Sequence, residues 1–131
     1  MSRILALDFG EARCGCALSD PTGTLATPLA SIERPATRNG LATIAELARE
    51  RDAERIVVGL PLTLSGEEGP QARATREFAE RLVELVDVPV ELHDERLTTR
   101  QAERMGGDAD ADSRAAAHLL VSYLAAMGRA Q

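Results

Sequence analysis

The apolar positions of this chain follow two kinds of pattern, and their order along the chain predicts its secondary structure. Short apolar runs bounded by turn residues are typical of buried strands, and apolar positions that recur every three or four residues are typical of amphipathic helices. The first pattern predicts strands at residues 3–10, 14–19, 24–32, 55–60 and 90–95. The second predicts helices at residues 41–51, 70–86 and from 112 or 113 to about 127, with a short helix from 98 or 99 to 105. Residues 106–111 combine glycine and acids without apolar periodicity, which predicts a loop.

Three of the predicted strands come first, with no helix between them. The segment Asp20-Pro21-Thr22-Gly23 is a strong turn signal, so the first third of the chain is predicted to be a β-meander. Helices and strands then alternate, which favours parallel strands. The sequence therefore predicts an α/β fold in a single domain, residues 1–131. Its mixed five-stranded sheet combines a three-stranded antiparallel meander with parallel strands, and helices cover both faces.

The amino-acid composition limits how such a domain would contact nucleic acid. Apolar residues make up 44% of the chain but aromatic residues only 2%, which argues against modules that stack bases on aromatic side chains. The net charge of −6 has the wrong sign for a protein that binds by coating phosphates. Acids that hold metal ions, however, count as negative only until the metal arrives. All fifteen basic residues are arginines, a bias that we attribute to GC-rich coding.

The cysteines and the hydropathy of the chain indicate its compartment. Cys14 and Cys16 are two positions apart on one predicted strand, where a mutual disulfide would be strained, so we expect small buried residues in a reducing compartment. No apolar run approaches the roughly 18 residues of a membrane span. A leader with a basic and then an apolar segment is also absent from the sequence. We therefore expect a cytoplasmic protein without a membrane partner.

Three acids that are distant in sequence are predicted to meet at one edge of the sheet. Asp8 and Glu95 each lie at the C-terminal end of a predicted strand, and such ends converge if the strands are parallel neighbours. Of Glu95 and the adjacent Asp94, only one can point to the shared face, because successive strand residues alternate. Asp112 is spaced so that it lies on the buried face of the last helix, towards the sheet.

A buried group of like charges requires positive compensation, and this requirement suggests a chemistry. All-oxygen ligands select Mg²⁺ or Mn²⁺, and two such ions about 4 Å apart can activate a water and stabilise the leaving oxygen of a phosphodiester. Simpler roles stay open for each acid: an Asx-turn for Asp8, a solvated strand end for Glu95 and a helix N-cap for Asp112. His93 and His118 are likewise compatible with plain structural roles.

Four segments of the sequence, taken in order, resemble the signature of a known family. They are Leu7-Asp8-Phe9-Gly10-x-x-Arg13-x-Gly15-x-Ala17-x-Ser19-Asp20, Val57-Val58-Gly59-Leu60-Pro61-Leu62 with Gly66, Asp94-Glu95-Arg96-Leu97-Thr98-Thr99, and Asp112-x-x-Ala115-Ala116 with Leu120 and Tyr123. The family is the YqgF/RuvX type, Holliday-junction-resolvase-like proteins also described as pre-16S rRNA nucleases, within the RNase H-like superfamily. Ala12 departs from the pattern, since family members often carry a basic residue there.

The resemblance implies a fold and a set of site residues. The implied RNase H-like fold agrees with the element order predicted from the residues themselves. The implied catalytic residues are Asp8, Glu95 and Asp112, which also serve as the ligands of Mg²⁺ or Mn²⁺. Arg13 matches an arginine of the family and is expected to contact a phosphate. Three further residues are expected to bind the substrate or, for the threonines, to cap the following helix: Arg96, Thr98 and Thr99.

The resemblance also implies a function, for which alternatives stay open. It points to a metal-dependent nuclease that matures the 5′ end of pre-16S rRNA in ribosome biogenesis, with nucleic acid and ribosomal particles as partners. Holliday junction resolution is the alternative; its two symmetric cuts favour a homodimer, whereas trimming one RNA end suits a monomer. The turn at Asp8-Phe9-Gly10 is also similar to that of actin-like kinases and ATPases, but 131 residues leave no room for their second lobe. A non-catalytic RNA-binding or ribosome-assembly protein is the remaining class.

Overall fold

The computed structural model describes residues 3–63, 65–95 and 111–129, without the side chains of the last two, and this part of the chain forms five strands and three helices. The strands are β1 (Arg3–Phe9), β2 (Arg13–Ser19), β3 (Ala26–Glu33), β4 (Ala53–Leu60) and β5 (Val90–Asp94). The helices are α1 (Arg38–Glu50), α2 (Pro70–Val83) and α3 (Ala111–Arg129).

The five strands form one mixed sheet in the order β3-β2-β1-β4-β5. β2 pairs antiparallel with β1 and with β3, which is the predicted meander. β4 pairs parallel with β1 and with β5. The predicted α/β architecture with a mixed five-stranded sheet is confirmed, and β1 is its central strand.

Side chains alternate between the two faces of the sheet and so divide the core in two. Leu7 and Val58 belong to the part of the core that packs beneath α1 and α2. Ala6 and Val57 belong to the part that packs beneath α3. Asp8 lies two residues beyond Ala6, so its side chain is on the α3 face of the sheet.

The contact between α3 and the sheet is made largely by small side chains. Ala6 on the sheet and Ala116 and Ala117 on the helix are fully buried in it. At Gly15 of β2 the two backbones come so close that a Cβ would lie 1.8 Å from the carbonyl oxygen of Asp112. The beginning of α3 therefore rests directly on β2, next to the end of β1.

A capping residue explains the largest difference at the start of a predicted helix. α1 begins at Arg38 rather than at residue 41. The backbone N–H of Gly40 donates a hydrogen bond to Oγ1 of Thr37 at 3.1 Å, which stabilises an extra turn before the apolar stripe. Apolar periodicity marks the buried face of a helix, and it does not report such a cap.

The other predicted helices differ from the structure at their ends. α2 begins at Pro70 as predicted but ends at residue 83 instead of 86. α3 begins at Ala111, the last residue of the predicted loop. The predicted short helix near 98–105 and residues 106–110 of that loop lie outside the described residues. None of the helices in the described part of the chain combines the length and the apolar character needed to cross a membrane.

Candidate active site at the end of the central strand

Asp8 lies at the centre of the site because β1 lies at the centre of the sheet. It is the penultimate residue of β1, and it is paired with Gly15 of the antiparallel neighbour β2. Its side chain is partly buried beneath the start of α3. Asp8 therefore lies at the edge of the sheet where the parallel strands end, which is where open α/β sheets bind ligands.

Glu95 reaches Asp8 across an intervening strand. It follows directly after β5, and β4 lies between β5 and β1, so these two strands are parallel but not neighbours, and the condition stated for their convergence is met only in part. Gly59 of β4 provides the space that makes the crossing possible. A Cβ on Gly59 would lie 2.4 Å from Oε1 of Glu95 and 2.8 Å from its Cγ. Because Gly59 has no side chain, Glu95 can lie over β4 and meet Asp8.

Asp8 and Glu95 are hydrogen-bonded to each other. Burial, the hydrogen bond and the charges of Asp8 and Asp94 raise the pKa of Glu95 to about 8. Burial also raises the pKa of Asp8, and the charge of Asp112 adds to this, whereas the hydrogen bond with Glu95 acts in the opposite direction. We conclude that the pair shares one proton at neutral pH, since two adjacent buried carboxylates repel each other.

Asp112 approaches this pair from α3, but its carboxylate is bonded to another partner. Oδ2 of Asp112 accepts a hydrogen bond from Nε of Arg13 at 3.2 Å. The side chain of Arg13 is 58% exposed and that of Asp112 is 42% exposed, so this ion pair contributes at most about 1 kcal/mol to the free energy of unfolding. Asp112 lies one residue inside α3, in its first turn, rather than at an N-cap before the helix.

The start of α3 is attached to the sheet by a buried serine. The backbone N–H of Cys16 donates a hydrogen bond to Oγ of Ser113 at 3.2 Å. At the same place the pairing of β2 with β3 shifts register between Cys14 and Cys16. Both cysteines are free thiols and fully buried, as predicted. This contact fixes the neighbouring Asp112 against β2.

A second set of contacts attaches the middle of α3 to β5. Nε2 of His93 lies 3.1 Å from Oγ of Ser122, and the rings of His93 and Tyr123 meet edge to face with centroids 5.5 Å apart. The hydroxyl of Tyr123 donates to Glu91 at 2.5 Å and accepts from Arg55 at 2.9 Å. Burial lowers the pKa of His93, which suits the structural role considered for it. These contacts hold β5, and hence Glu95 after it, in a fixed position relative to α3.

A small cavity opens between the acids and α3. Its volume is about 160 Å³, and its described lining consists of Asp8, Glu95, Ala115, His118 and Leu119. This is room for a hydrated ion or for a group of that size. Asp112 and Ala115 lie at helical spacing on one face of α3, which places Asp112 beyond one end of the cavity wall.

The structure thus brings together the three predicted acids, although not in equivalent ways. Asp8 and Glu95 are in contact, Asp112 is close enough to affect Asp8, and Arg13 is bonded to Asp112. The other predicted substrate contacts, Arg96, Thr98 and Thr99, lie outside the described residues. The catalytic, metal and substrate roles of all these residues stay predictions.

The carboxylate oxygens of the site are suitable ligands for a divalent cation, but the acids are not arranged as a complete metal site. Within the described ranges, no three acidic, histidine or cysteine side chains are close enough together to hold a metal ion. Asp8 and Glu95 nevertheless supply adjacent hard oxygens, and a cation in place of their shared proton would reduce the repulsion among the acids. Asp112 would complete the set if it exchanged Arg13 for the cation.

Several residues that shape the site were given no role by the sequence analysis. Gly15 and Gly59 provide the space for two of the acids, and Ser113 and Ser122 attach α3 to the sheet. A glycine inside a strand often marks a close approach, so the two glycines carried a usable signal. The serines carried none, because their partners are distant in sequence.

Solved structures with similar coordinates identify the fold. RuvC of Thermus thermophilus, in complex with a Holliday junction substrate, matches with a TM-score of 0.65 at 14% identity, over 98% of this chain and 97% of that chain. The fowlpox virus resolvase, in complex with Holliday junction DNA, matches with a TM-score of 0.57 at 12% identity, over 95% and 98%. At such identities the similarity shows the fold alone, and it confirms the predicted RNase H-like fold.

Relatives in sequence identify the family. A protein of Roseiflexus sp. (strain RS-1), named "Putative pre-16S rRNA nuclease", is 48% identical over 103 residues, 79% of this chain and 73% of the relative. Proteins with the same name from Syntrophomonas wolfei and Moorella thermoacetica are 41% and 42% identical and cover 93% and 97% of both chains. The family model RuvX, described as Holliday junction resolvase, matches residues 2–126. The resemblance noted in the sequence is therefore confirmed, and the chain belongs to the RuvX family.

Proposed function

We propose that this protein is a metal-dependent nuclease that matures the 5′ end of pre-16S rRNA in ribosome biogenesis. The observation that carries the proposal is the proton-sharing pair of Asp8 and Glu95 beside a cavity at the C-terminal end of the central strands. Buried carboxylates in contact are costly to a fold, and they are retained where they perform chemistry. The relatives' shared name supports the substrate.

Asp8 and Glu95 would hold Mg²⁺ or Mn²⁺ in place of their shared proton, and Asp112 would join them after leaving Arg13. One or two such ions, when bound, supply an activated water and neutralise the charge that develops on the leaving oxygen. The protein itself fixes the two carboxylates through Gly59 and the attachment of α3 to β5. A cavity of about 160 Å³ lies beside them.

Arginines are the candidates for holding the phosphate backbone. Arg13 lies at the exposed edge of the site, so it is free to exchange Asp112 for a phosphate when the acid binds a cation. Arg96, Thr98 and Thr99 follow Glu95 directly in the sequence, and we assign them to substrate binding on the family pattern. Ribosomal particles are the proposed macromolecular partner, and a protein acting on them would work in the cytoplasm.

Holliday junction resolution is the second candidate, because the RuvX family model carries that description. It predicts a homodimer with two symmetric cuts, whereas 5′ trimming of an RNA is compatible with a monomer. A non-catalytic RNA-binding or ribosome-assembly protein is the third candidate, and it predicts binding without cleavage.

The test uses purified protein with labelled precursor rRNA and, separately, a labelled four-way DNA junction. Each substrate is incubated with Mg²⁺, Mn²⁺ or a chelator, and the products are sized on a sequencing gel. Asp8→Asn and Glu95→Gln remove the two central carboxylates at nearly constant volume. Asp94→Asn is the matched control, because its side chain is adjacent in sequence but belongs to the other face of the strand.

We expect metal-dependent cleavage of the precursor near the mature 5′ end by the wild type and by Asp94→Asn. Asp8→Asn and Glu95→Gln should lose at least about 100-fold, since each removes a group that the transition state requires. Equal cleavage by all four proteins would contradict the proposed site. Symmetric cutting of the junction alone would replace the ribosomal substrate by the recombination intermediate, and binding without cleavage would favour the third candidate.

A further inference from the structure

The cavity beside the acids contains one side chain whose chemistry differs from the rest of its lining. Ionised Asp8 and Glu95 only accept hydrogen bonds, and Ala115 and Leu119 are apolar. His118 completes the described lining, and a neutral imidazole carries a hydrogen on one ring nitrogen in either tautomer. Among the described lining residues, His118 is therefore the one side chain able to donate to an anion while the acids are ionised.

The position of His118 on α3 directs it towards Glu95 rather than into the centre of the sheet. It lies one helical turn before Ser122, whose hydroxyl contacts His93 on β5. The same side of α3 therefore carries His118 towards the ends of β4 and β5, where Gly59 leaves space and Glu95 crosses. His118 is only 8% exposed, so its ring is buried beside the cavity rather than on the protein surface.

The size of the cavity restricts what can occupy it. Pockets that enclose a drug-sized ligand typically have at least about 300 Å³. This cavity has about 160 Å³, which suits a single phosphate group rather than a whole nucleotide. A phosphate in that space faces carboxylates on one side, so it needs a donor on the other. His118 is on the α3 wall, opposite the strands that carry the acids.

We propose that His118 is a substrate contact, and that its imidazole N–H donates a hydrogen bond to a non-bridging oxygen of the phosphate that enters this cavity. The proposal rests on the nuclease function proposed above and adds a residue that is not among the positions that carry the family resemblance. It assigns His118 to holding the substrate phosphate, in addition to the arginines at the edge of the site.

The first test observes the histidine directly, without catalysis. The chain contains two histidines, so the imidazole nitrogen resonances of ¹⁵N-labelled protein are assigned with one variant, His118→Leu. Inorganic phosphate is titrated with Mg²⁺ at constant pH and ionic strength, with chloride as the reference salt. We expect a saturable shift of the His118 resonances while those of His93, which contacts Ser122, stay in place. An unmoved His118, or equal shifts of both histidines, would overturn the proposal.

The second test separates substrate binding from structure. His118→Leu removes the donor, His118→Gln keeps one, and Val121→Ala is a control at an exposed position of the same helix. A hydrogen bond to a charged group is typically worth a factor of about ten, so His118→Leu should raise KM about tenfold with kcat within about threefold. His118→Gln should recover most of the loss, and Val121→Ala should leave KM unchanged. Equal defects in His118→Leu and His118→Gln would contradict the proposed contact.

The two tests also separate this proposal from the proposed function. A wild type that cuts neither substrate, but whose His118 responds to phosphate, would leave the contact intact and sink the nuclease assignment. If the wild type cuts a substrate, but KM is unchanged in His118→Leu and His118 does not respond to phosphate, the nuclease function stands and the His118 contact is wrong. If His118→Leu does not fold, the resonances are assigned with His93→Gln instead, and the titration of the wild type still decides.

Discussion

An acid approaches Asp8 over each of its two neighbouring strands, and a glycine makes room for it in both cases. The negative charges of these two acids are neutralised in different ways. On the β2 side, the start of α3 carries Asp112 over Gly15, and on the β4 side Glu95 crosses over Gly59. Each glycine lies in a strand next to β1 and provides the space that its acid needs. The site therefore depends on the two glycines as much as on the three acids.

The compensation differs because the surroundings differ. Glu95 is partly buried, and its repulsion with Asp8 is relieved by a shared proton. Asp112 is at the exposed edge, and Arg13 neutralises it there, where water can solvate the long guanidinium side chain. A proton is small enough to neutralise a carboxylate in the protein interior, whereas an arginine side chain can do so at the exposed edge of the site. The two sides should consequently respond differently to substitution, to pH and to cations.

The largest effect is expected from filling the space on the β2 side. In Gly15→Ala the new Cβ would lie 1.8 Å from a backbone carbonyl oxygen, which cannot move without shifting α3. We expect a loss of about 3 kcal/mol in the free energy of unfolding, measured by urea denaturation. Gly69→Ala is the control, because nothing lies within 4 Å of the Cβ it would add, and it should change stability by less than about 1 kcal/mol. Equal effects of the two substitutions would contradict the close approach.

Filling the space on the β4 side should affect activity more than stability. In Gly59→Ala the Cβ would meet Oε1 and Cγ of Glu95, a flexible side chain that can move away. The fold should survive with a loss of about 1 kcal/mol, while metal-dependent cleavage falls about 100-fold because Glu95 is displaced from Asp8. Chemical denaturation and initial cleavage rates measure the two effects. Full activity in a folded Gly59→Ala protein would show that Glu95 does not need to cross β4.

The shared proton predicts the pH dependence of stability. The pKa of Glu95 is raised from 4.5 to about 8 in the folded protein, so between these values the folded state binds more protons than the unfolded state. Stability should therefore be highest at the acidic end of this window and decrease as the pH rises through about 8. Thermal unfolding in a chelator at several pH values measures this decrease.

The control for that pH series is Glu95→Gln, which cannot lose a proton. Its unfolding temperature should vary less between pH 5 and pH 9 than that of the wild type. Added Mn²⁺ should also flatten the wild-type curve, since a cation compensates the ionised pair. Parallel curves for the wild type and Glu95→Gln would show that the proton is not shared at this position.

The smallest effect is expected on the exposed side. Arg13→Gln removes an ion pair worth at most about 1 kcal/mol, so the unfolding midpoint should hardly change. Affinity for Mn²⁺, measured by titration calorimetry, should rise by up to about fivefold because Asp112 is released and a positive charge is lost. The salt dependence of RNA binding should become shallower by about one counterion if Arg13 contacts a phosphate. Lower Mn²⁺ affinity would indicate that Arg13 orients Asp112 for the metal.

The element types were predictable from the sequence because the signals behind them are local. The apolar run of β1 and the turn at Asp20 to Gly23 mark the meander without reference to any distant residue. The start of α1 was predicted late because Thr37 lies before the apolar stripe, and the end of α2 was predicted late because apolar residues continue beyond residue 83. These differences affect the ends of elements and not their order.

The sequence alone determined that acids lie at strand ends and on the buried face of the last helix, because alternation along a strand and spacing along a helix are properties of neighbouring residues. Alternation left Asp94 and Glu95 as alternatives, and the family resemblance indicated Glu95. The tertiary structure decided how those acids meet. In the tertiary structure β4 lies between β1 and β5, and Gly15 and Gly59 leave room for the acids that pass over them. Asp112 is bonded to Arg13, whereas Asp8 and Glu95 share a proton. These features depend on which distant segments pair and how closely they approach, and that balance of pairing, packing and burial is not encoded in any single stretch of the chain.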